Sequence, residues 1–263
     1  MSDSPYRRAP KQIIKMKAVE ANISKIELSV VMPAYNEEGA IEAAVREVQE
    51  FIFDRLPASE LVVVNDGSRD RTGEILDELA AKDRRIRVVH QPNGGHGRAL
   101  RTALEAACGD YLFLIDSDRQ IPLEVFAEMW KVGRDRDGVF GVRVKRRDPR
   151  VRLLLTGVVR RSLRLLFKVQ IRDANVPFKL LRRSVWLEAR ELIPEDTLAP
   201  SIFLAIIGRR RHDIVDWEVP HQERRTGVVT IRRWKLFKFC ARALLQLLAF
   251  RRKLEPWTLR EQS

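Results

Sequence analysis

The first half of the chain alternates short apolar runs with longer segments in which apolar residues recur every three or four positions. A short apolar run between turn residues indicates a buried strand, and the longer period indicates an amphipathic helix. Strands are predicted at 27–33, 61–64, 86–90 and 111–115, and helices at 38–53, 71–82 and 97–108. Regular alternation of this kind predicts an α/β fold with a doubly wound, mostly parallel sheet.

The second half of the chain has a less regular pattern. Helices are predicted at 151–170, 184–191, 198–208 and 234–250, and strands at 178–181 and 214–219. No segment rich in Pro, Gly or Ser divides the chain near residue 140, so we expect one domain over 26–233 with halves 26–140 and 141–233. A basic arm at 1–25 would precede it, and a basic amphipathic helix and tail at 234–263 would follow it.

Polar turns follow four of the predicted strands, at residues 33–38, 65–68, 93–97 and 116–120. Each turn taken alone has ordinary turn chemistry, with Asp-Gly and Asn-Gly pairs that are common in loops. Because the carboxyl ends of parallel strands meet at one edge of a sheet, we expect the four turns to converge there. Their convergence predicts a binding site for a polar ligand.

Asp116 and Asp118 come directly after the buried strand 111–115, separated by one serine. Two neighbouring carboxylates repel each other and lose hydration unless a cation lies between them. Oxygen ligands favour Mg²⁺ or Mn²⁺, and such an ion frequently shares its coordination with substrate phosphates. The pair therefore predicts a metal–diphosphate site.

The glycines at 93–97 match neither the GxxxxGK[ST] phosphate loop nor the GxGxxG dinucleotide fingerprint. This disfavours nucleotide triphosphatases and dehydrogenases. Gly97 lies at the start of a predicted helix, where backbone N–H groups are able to approach an anion.

The chain is strongly basic, with 49 Lys and Arg but only 36 Asp and Glu and a net charge of +13. Nucleic acid, an anionic membrane surface and a phosphorylated substrate are the partners that fit such a charge. No recognised nucleic-acid module is present, so nucleic acid is not expected. The two cysteines, Cys108 and Cys240, lie far apart and indicate a reducing compartment.

The motifs at the four turns, taken in order, resemble those of the family-2 glycosyltransferases of GT-A fold. The resemblance rests on residues 31–37 (VMPAYNE), 64–68 (VNDGS), 93–97 (NGGHG) and 116–118 (DSD). It is closest to the branch of the dolichyl-phosphate mannose synthases and other polyprenyl-phosphate glycosyltransferases. It implies a GT-A fold, a nucleotide diphosphate sugar as donor and Mg²⁺ or Mn²⁺ as cofactor.

Carried over position by position, the resemblance assigns roles at the donor site. The nucleoside and its ribose would be lined by Pro33, Tyr35 and Glu37. Asp66 would hydrogen-bond the base. Asp116 and Asp118 would bind the metal and the diphosphate, with Gln120 as a further metal ligand. His96 lies where many relatives carry lysine or another residue, so the resemblance assigns it no role.

The second half of the chain resembles the same family over shorter stretches. Arg143 looks like the arginine of a Gly-x-Arg segment that holds phosphate groups. Residues 173–179 (DANVPFK) resemble a segment that usually reads Asp-x-x-x-Gly-Phe-Lys/Arg, with Pro177 in place of the glycine. Within 221–227, Arg224 or Arg225 would grip the acceptor phosphate. Arginine suits this task because it makes bidentate, charge-assisted bonds to phosphate.

Two alternatives remain open from the sequence. In relatives that glycosylate a sugar hydroxyl, an aspartate at the position of Asp196 acts as general base, although Asp196 also suits a helix N-cap. The second alternative is a catalytically inactive module of GT-A fold that binds a membrane or nucleic acid through its basic face.

Helices 151–170 and 234–250 each combine an apolar face with a basic face, as helices at anionic bilayers do. No apolar signal region precedes the domain, and no uncharged apolar stretch of spanning length occurs. We therefore expect a cytoplasmic protein, peripheral on the inner face of the cell membrane. The predicted reaction is an inverting transfer of a hexose from a GDP- or UDP-linked donor to a polyprenyl phosphate.

Overall fold

Seven strands form a single sheet in the order β3-β2-β1-β4-β6-β5-β7 in the computed structural model, which describes residues 25–144, 150–195, 197, 199–222 and 245–254, with only the backbone of 150–156 and 158. The strands are β1 Leu28–Ala34, β2 Ser59–Asn65, β3 Ile86–His90, β4 Tyr111–Ile115, β5 Gly138–Val144, β6 Phe178–Arg182 and β7 Ile214–Pro220. Every strand pair is parallel except the two pairs that involve β6. The predicted α/β, mostly parallel sheet is confirmed.

Helices cover both faces of this sheet. They are α1 Ile41–Val48, α2 Thr72–Lys82, α3 His96–Ala106, α4 Phe126–Gly133, α5 Arg150–Phe167, α6 Arg183–Arg190 and α7 Pro200–Arg211, and a further helix, α8, spans residues 245–254. The predicted helix 38–53 is α-helical only over Ile41–Val48 and continues as a π-helical turn over Gln49–Phe53. The predicted arm 1–25 lies outside the described residues apart from residue 25, as do 223–244 and 255–263.

The continuous apolar runs arise because the central strands are buried on both faces. All seven residues of β1 and of β2 are buried, and so are all five of β4. One face packs against α1, α2 and α4, and the other against α3, α5, α6, α7 and α8. Phe250 of α8 packs between Phe167 and Phe203, with ring centroids 5.9 and 4.8 Å away.

Two elements were missed from the sequence, β5 and α4. Strand β5 carries Gly138 and Gly141, which weaken a strand signal. The structure explains both glycines by close packing on β6. A Cβ at Gly138 would lie 2.5 Å from the Leu180 carbonyl oxygen, and one at Gly141 would lie 2.9 Å from the Phe178 carbonyl oxygen. Helix α4 is only eight residues long, so its periodicity is short.

The reversed direction of β6 decides what reaches the functional edge. Strands β1, β2, β3, β4, β5 and β7 all end at one edge of the sheet, whereas β6 begins there. Residues 173–177, which precede β6, therefore join the turns that follow the other strands. This edge is where open α/β sheets bind their ligands.

Candidate active site

The loops after β1 and β2 are joined by hydrogen bonds between backbone N–H groups and side chains. The Asn36 N–H donates to Ser68 Oγ (3.0 Å), and the Arg69 N–H donates to Asn36 Oδ1 (2.8 Å). The Glu37 N–H donates to Thr72 Oγ1 (2.8 Å). Asn36 has a φ of 52°, which asparagine tolerates better than most residues. These bonds orient the predicted donor-site residues, of which Pro33 is buried, Glu37 half-buried and Tyr35 exposed.

Asp66 holds the glycine loop that follows β3. Its Oδ1 accepts the Gly94 N–H (2.8 Å) and the Gln91 side-chain amide (2.6 Å), and its Oδ2 accepts the Gly95 N–H (2.8 Å). Asp66 is 2% exposed. Each carboxylate oxygen has two acceptor sites. Oδ2 therefore keeps capacity to accept a further hydrogen bond.

The glycine loop leads directly into α3. Gly95 is the N-cap residue with a φ of 84°, a conformation that an L side chain strains to adopt. Gly97, the residue singled out from the sequence, is buried in the first turn of α3. Gly97 therefore lies at the helix start as predicted, and the positive φ of this loop falls on Gly95.

Asp116 and Asp118 lie at the end of β4, as predicted. His96, the first residue of α3, approaches Asp116 with 3.0 Å between Nε2 and Oδ1. Partial loss of hydration lowers the pKa of His96, but the carboxylates of Asp116, Asp118 and Asp66 outweigh that effect, so the pKa is raised above its ordinary value. The side chain of His96 is half exposed, so solvent has access to this pair.

Gln120 connects the metal-motif loop with the segment after β7. The Gln120 backbone carbonyl accepts the Gln222 N–H (2.8 Å), and its own N–H donates to Asp118 Oδ1 (3.2 Å). Arg119 has a φ of 56° and forms an ion pair with Glu47 of α1. The strained turn at Arg119 therefore has a tether on a neighbouring helix.

Arg143 reaches the same pocket from the end of β5. Its guanidinium makes a bidentate ion pair with Asp173, with Nε–Oδ2 at 2.7 Å and Nη2–Oδ1 at 2.9 Å. The two side chains are only 14% and 5% exposed. Arg143 lines one pocket together with residues of three connecting segments, which are Asp116, Asp118 and Gln120 after β4, Pro177 before β6 and His221 after β7.

The residues at this edge fit a divalent cation shared with a diphosphate. Two carboxylates and the Gln120 side-chain oxygen are oxygen donors, and Mg²⁺ is typically bound by one or two carboxylates plus substrate phosphates. Within the described ranges, no cluster of three or more His, Cys, Asp or Glu side chains has the geometry to hold a metal. Asp116, Asp118 and Gln120 would supply part of a coordination sphere, and phosphate oxygens would complete it.

Four residues near the site had no role predicted from the sequence, namely Glu47, His96, Asp173 and Lys179. Asp173 and Lys179 lay within a segment that was singled out, but the contacts of Asp173 with Arg143 and of Lys179 with Ser201 depend on the antiparallel β6. Glu47 is one acidic residue on a helix and gives no sequence signal. The predicted residues Arg224, Arg225 and Asp196 lie outside the described residues, so their roles stay predictions.

The chain belongs to glycosyl transferase family 2, whose model matches residues 29–186. The bactoprenol glucosyl transferase of Shigella phage SfV is 30% identical over 244 residues, which cover 89% of this chain and 75% of that protein. Glycosyltransferase AglD of Haloferax volcanii is 35% identical over 67% of this chain but only 30% of its own length. The chain therefore spans under a third of that relative.

The fold also matches solved GT-A structures. Glucosyl-3-phosphoglycerate synthase from Mycobacterium tuberculosis, in complex with Mn²⁺, UDP and phosphoglyceric acid, superposes with a TM-score of 0.64. The match covers 94% of this chain and 84% of that one at 21% sequence identity. This similarity confirms the GT-A fold.

Proposed function

We propose that this protein is an inverting glycosyltransferase that moves a hexose from a GDP- or UDP-linked donor to a polyprenyl phosphate. The observation that carries the proposal is the convergence of Asp116, Asp118 and Arg143 on one pocket at the carboxyl edge of the sheet. Carboxylates suit a metal-bound diphosphate, and arginine suits a second phosphate. The bactoprenol relative named above supports a polyprenyl acceptor.

The chain's own residues give each substrate a place in this proposal. Pro33, Tyr35 and Glu37 line the nucleoside, and Asp66 accepts a hydrogen bond from the base. Gly97 lies in the first helical turn, near the phosphates. An Mg²⁺ or Mn²⁺ ion held by Asp116, Asp118 and Gln120 would stabilise the charge that develops on the leaving nucleoside diphosphate.

Arg143 and Arg224 orient the acceptor phosphate for attack on the face of the anomeric carbon opposite the leaving group. Attack from that face inverts the configuration. A phosphate is already ionised near neutral pH, so this route needs no general base. The acceptor phosphate and the donor diphosphate repel each other, and the positive charge of the arginines offsets that repulsion.

Product analysis tests this function directly. The protein is incubated with a panel of nucleotide sugars, Mn²⁺ and a short polyprenyl phosphate, and the lipid product is identified by mass spectrometry. We expect one glycosylated polyprenyl phosphate, whose anomeric configuration is opposite to that of the donor. Transfer to a glycan hydroxyl but not to the lipid would overturn the acceptor assignment and favour Asp196 as general base.

The membrane contact in this proposal is supported by a basic pocket on α5. Its described lining contains Arg160, Arg161, Arg164 and Arg172, and no carboxylate, in a space of about 480 Å³. Among the described side chains, Arg172 is the one arginine of these four that has an ion-pair partner, Glu218 at 2.6 Å. Four guanidinium groups with so little compensation favour an anionic surface nearby.

Exposed leucines lie on α5 and on α8, which packs against it. Leu165, one turn after Arg161 on α5, is 68% exposed, and Leu245 on the adjacent α8 is 67% exposed. Apolar side chains beside arginines are typical of helices that lie in the headgroup region of a bilayer. Among the helices of the described segments, none is both long and apolar enough to cross a membrane. The exposed arginines and leucines together support our proposal of peripheral binding at the cytoplasmic face of the cell membrane.

Vesicle co-sedimentation tests the membrane contact. A triple change of Arg160, Arg161 and Arg164 to Gln is expected to abolish binding to vesicles that contain phosphatidylglycerol. The control removes three charges from the opposite sheet face, at Arg46, Lys82 and Lys131, and should retain binding. Equal loss of binding in both proteins would mean that net charge alone, rather than α5, contacts the membrane.

A further inference from the structure

Lys179 is a completely buried cation on β6 that none of the predicted roles uses. It is 0% exposed, and its Nζ donates to three neutral acceptors. They are the Ala174 carbonyl oxygen at 3.1 Å, the Val176 carbonyl oxygen at 2.6 Å and Ser201 Oγ at 2.6 Å. An ammonium group has three donors, so all of them are satisfied here.

These acceptors belong to the segment 173–177 and to the first turn of α7. Ser201 Oγ also donates to the Val176 carbonyl oxygen at 3.2 Å, so segment and helix are cross-linked around the ammonium group. The two ends of the segment face the active site. Asp173 forms an ion pair with Arg143, and Pro177 lines the pocket with Asp116 and Asp118.

A charge at this position is costly, because burial of an ammonium group away from a carboxylate loses most of its hydration. Methionine would fill the same space without that cost. The hydrogen bonds must therefore supply something that packing does not. They give a defined path to the three residues of irregular backbone between Asp173 and Pro177.

We propose that Lys179 is a positioning residue whose ammonium group holds segment 173–177, so that Asp173 presents the Arg143 guanidinium to the acceptor phosphate. The proposal rests on the proposed phosphate acceptor for its effect on catalysis. The clamp on the segment itself depends only on the geometry above. Lys179 touches no reacting atom and acts through Asp173 and Arg143.

Protonation of Lys179 decides how many donors the clamp has. Burial lowers its pKa, Asp173 raises it, Arg143 lowers it and Asp116 raises it, and the balance brings the pKa to about 7. Ser201 of α7 and the Phe140 ring of β5, 5.5 Å away, face the ammonium without a charge. A neutral amine has two N–H donors for three acceptors, so one acceptor is lost as pH rises through neutrality.

Hydrogen exchange tests the clamp without any substrate. Lys179→Met is compared with wild type, and exchange is followed in a peptide that spans 173–177. We expect at least tenfold faster exchange of that segment in the variant at pH 6. In wild type a similar increase should occur between pH 6 and pH 9, after correction for the intrinsic rate. Unchanged exchange in both comparisons would overturn the proposal.

Kinetics test the consequence for Arg143. In Lys179→Met the KM for polyprenyl phosphate should rise about tenfold, and the KM for the nucleotide sugar should stay within twofold. The fall of kcat/KM for the acceptor above pH 7 should disappear in the variant. Equal changes in both KM values, or an unaltered pH profile, would contradict a positioning role.

Two further variants separate positioning from loss of stability. Leu180→Ala removes a buried side chain of β6 on the opposite face, so it should lower the melting temperature and leave the pH profile unchanged. Ser201→Ala removes one acceptor and should show a weaker form of the Lys179→Met phenotype. If wild type transfers nothing to polyprenyl phosphate while segment exchange still depends on Lys179, the acceptor is wrong and the clamp stands.

Discussion

The loops after β1, β2 and β3 differ from the segment before β6 in what holds them. The loops after β1, β2 and β3, which we call the donor side because we propose that they bind the nucleotide sugar, are held by hydrogen bonds. Backbone N–H groups donate these bonds to neutral or singly charged acceptors, such as Ser68, Thr72 and Asp66. The segment before β6, which we call the acceptor side, is held by buried charge, through Asp173 with Arg143 and through Lys179. Both regions lie at one edge of the same sheet.

Because different interactions hold the two regions, we expect them to respond differently to mutation and to pH. A single hydrogen bond contributes about 1 kcal/mol, so loss of one donor-side bond should be tolerated. Removal of one partner of a buried ion pair costs about 3 to 5 kcal/mol, because the other charge stays buried without compensation. The acceptor side should therefore be more sensitive to mutation and to pH than the donor side.

The largest expected effect is at the metal motif, which both regions serve. Asp118→Asn keeps the side-chain shape but removes a negative charge, so we expect kcat to fall by at least about 1000-fold, or about 4 kcal/mol. Steady-state kinetics at saturating Mn²⁺ measure it. Calorimetry should also show weaker Mn²⁺-dependent nucleotide binding, and near-normal activity would rule out the metal assignment.

Asp173→Asn tests the acceptor side. The neutral amide leaves Arg143 nearly buried without its counter-charge, so we expect the free energy of unfolding to fall by about 3 kcal/mol. Urea denaturation measures this change. Asp83→Asn is a suitable control, since Asp83 pairs with the more exposed Arg85 and should lose less. A smaller loss at Asp173 than at Asp83 would reverse the comparison between the two regions.

The pH dependence of stability sharpens the role of Lys179. Its pKa of about 7 in the folded protein lies below the ordinary value of 10.5. Between these values the unfolded chain binds one more proton than the folded chain, so this residue makes stability rise with pH, by up to about 1.4 kcal/mol per pH unit. Below pH 7 both states are protonated and the contribution is constant.

Denaturation of wild type and Lys179→Met at pH 6, 8 and 9 measures this contribution. The stability of wild type relative to the variant should increase with pH, whereas acceptor turnover should decrease. Stability and turnover are expected to change in opposite directions with pH. The uncharged amine costs less to bury, but it donates one hydrogen bond fewer to segment 173–177. A pH-independent difference in stability would show that Lys179 keeps an ordinary pKa.

The smallest effect is expected on the donor side. Ser68→Ala removes the acceptor of the Asn36 N–H, which is exposed enough for water to replace it. We expect a loss of about 0.5 to 1 kcal/mol in stability and at most a few-fold rise in KM for the nucleotide sugar. A loss as large as that of Asp173→Asn would contradict the distinction between the two regions.

Much of the donor half follows from local pattern. Strands β3 and β4 have the predicted bounds, and the turn residues Asp66, Asp116 and Asp118 lie at the predicted edge. Buried parallel strands make apolar runs that are legible in the sequence, and their order along the chain sets their polar turns at one edge. The second half of the chain was harder to predict. Strand β5 contains two glycines, which weaken its strand pattern, and the sequence does not show that β6 is antiparallel to its neighbours.

The sequence by itself determined the α/β class, the convergence of four polar turns and the family resemblance, since each depends on residues close together along the chain. Only the tertiary structure decided that Asp66 holds the glycine loop, that His96 meets Asp116, and that Arg143 pairs with Asp173. The last two contacts join residues 20 and 30 positions apart. Such pairings depend on strand direction and packing, which no local pattern encodes.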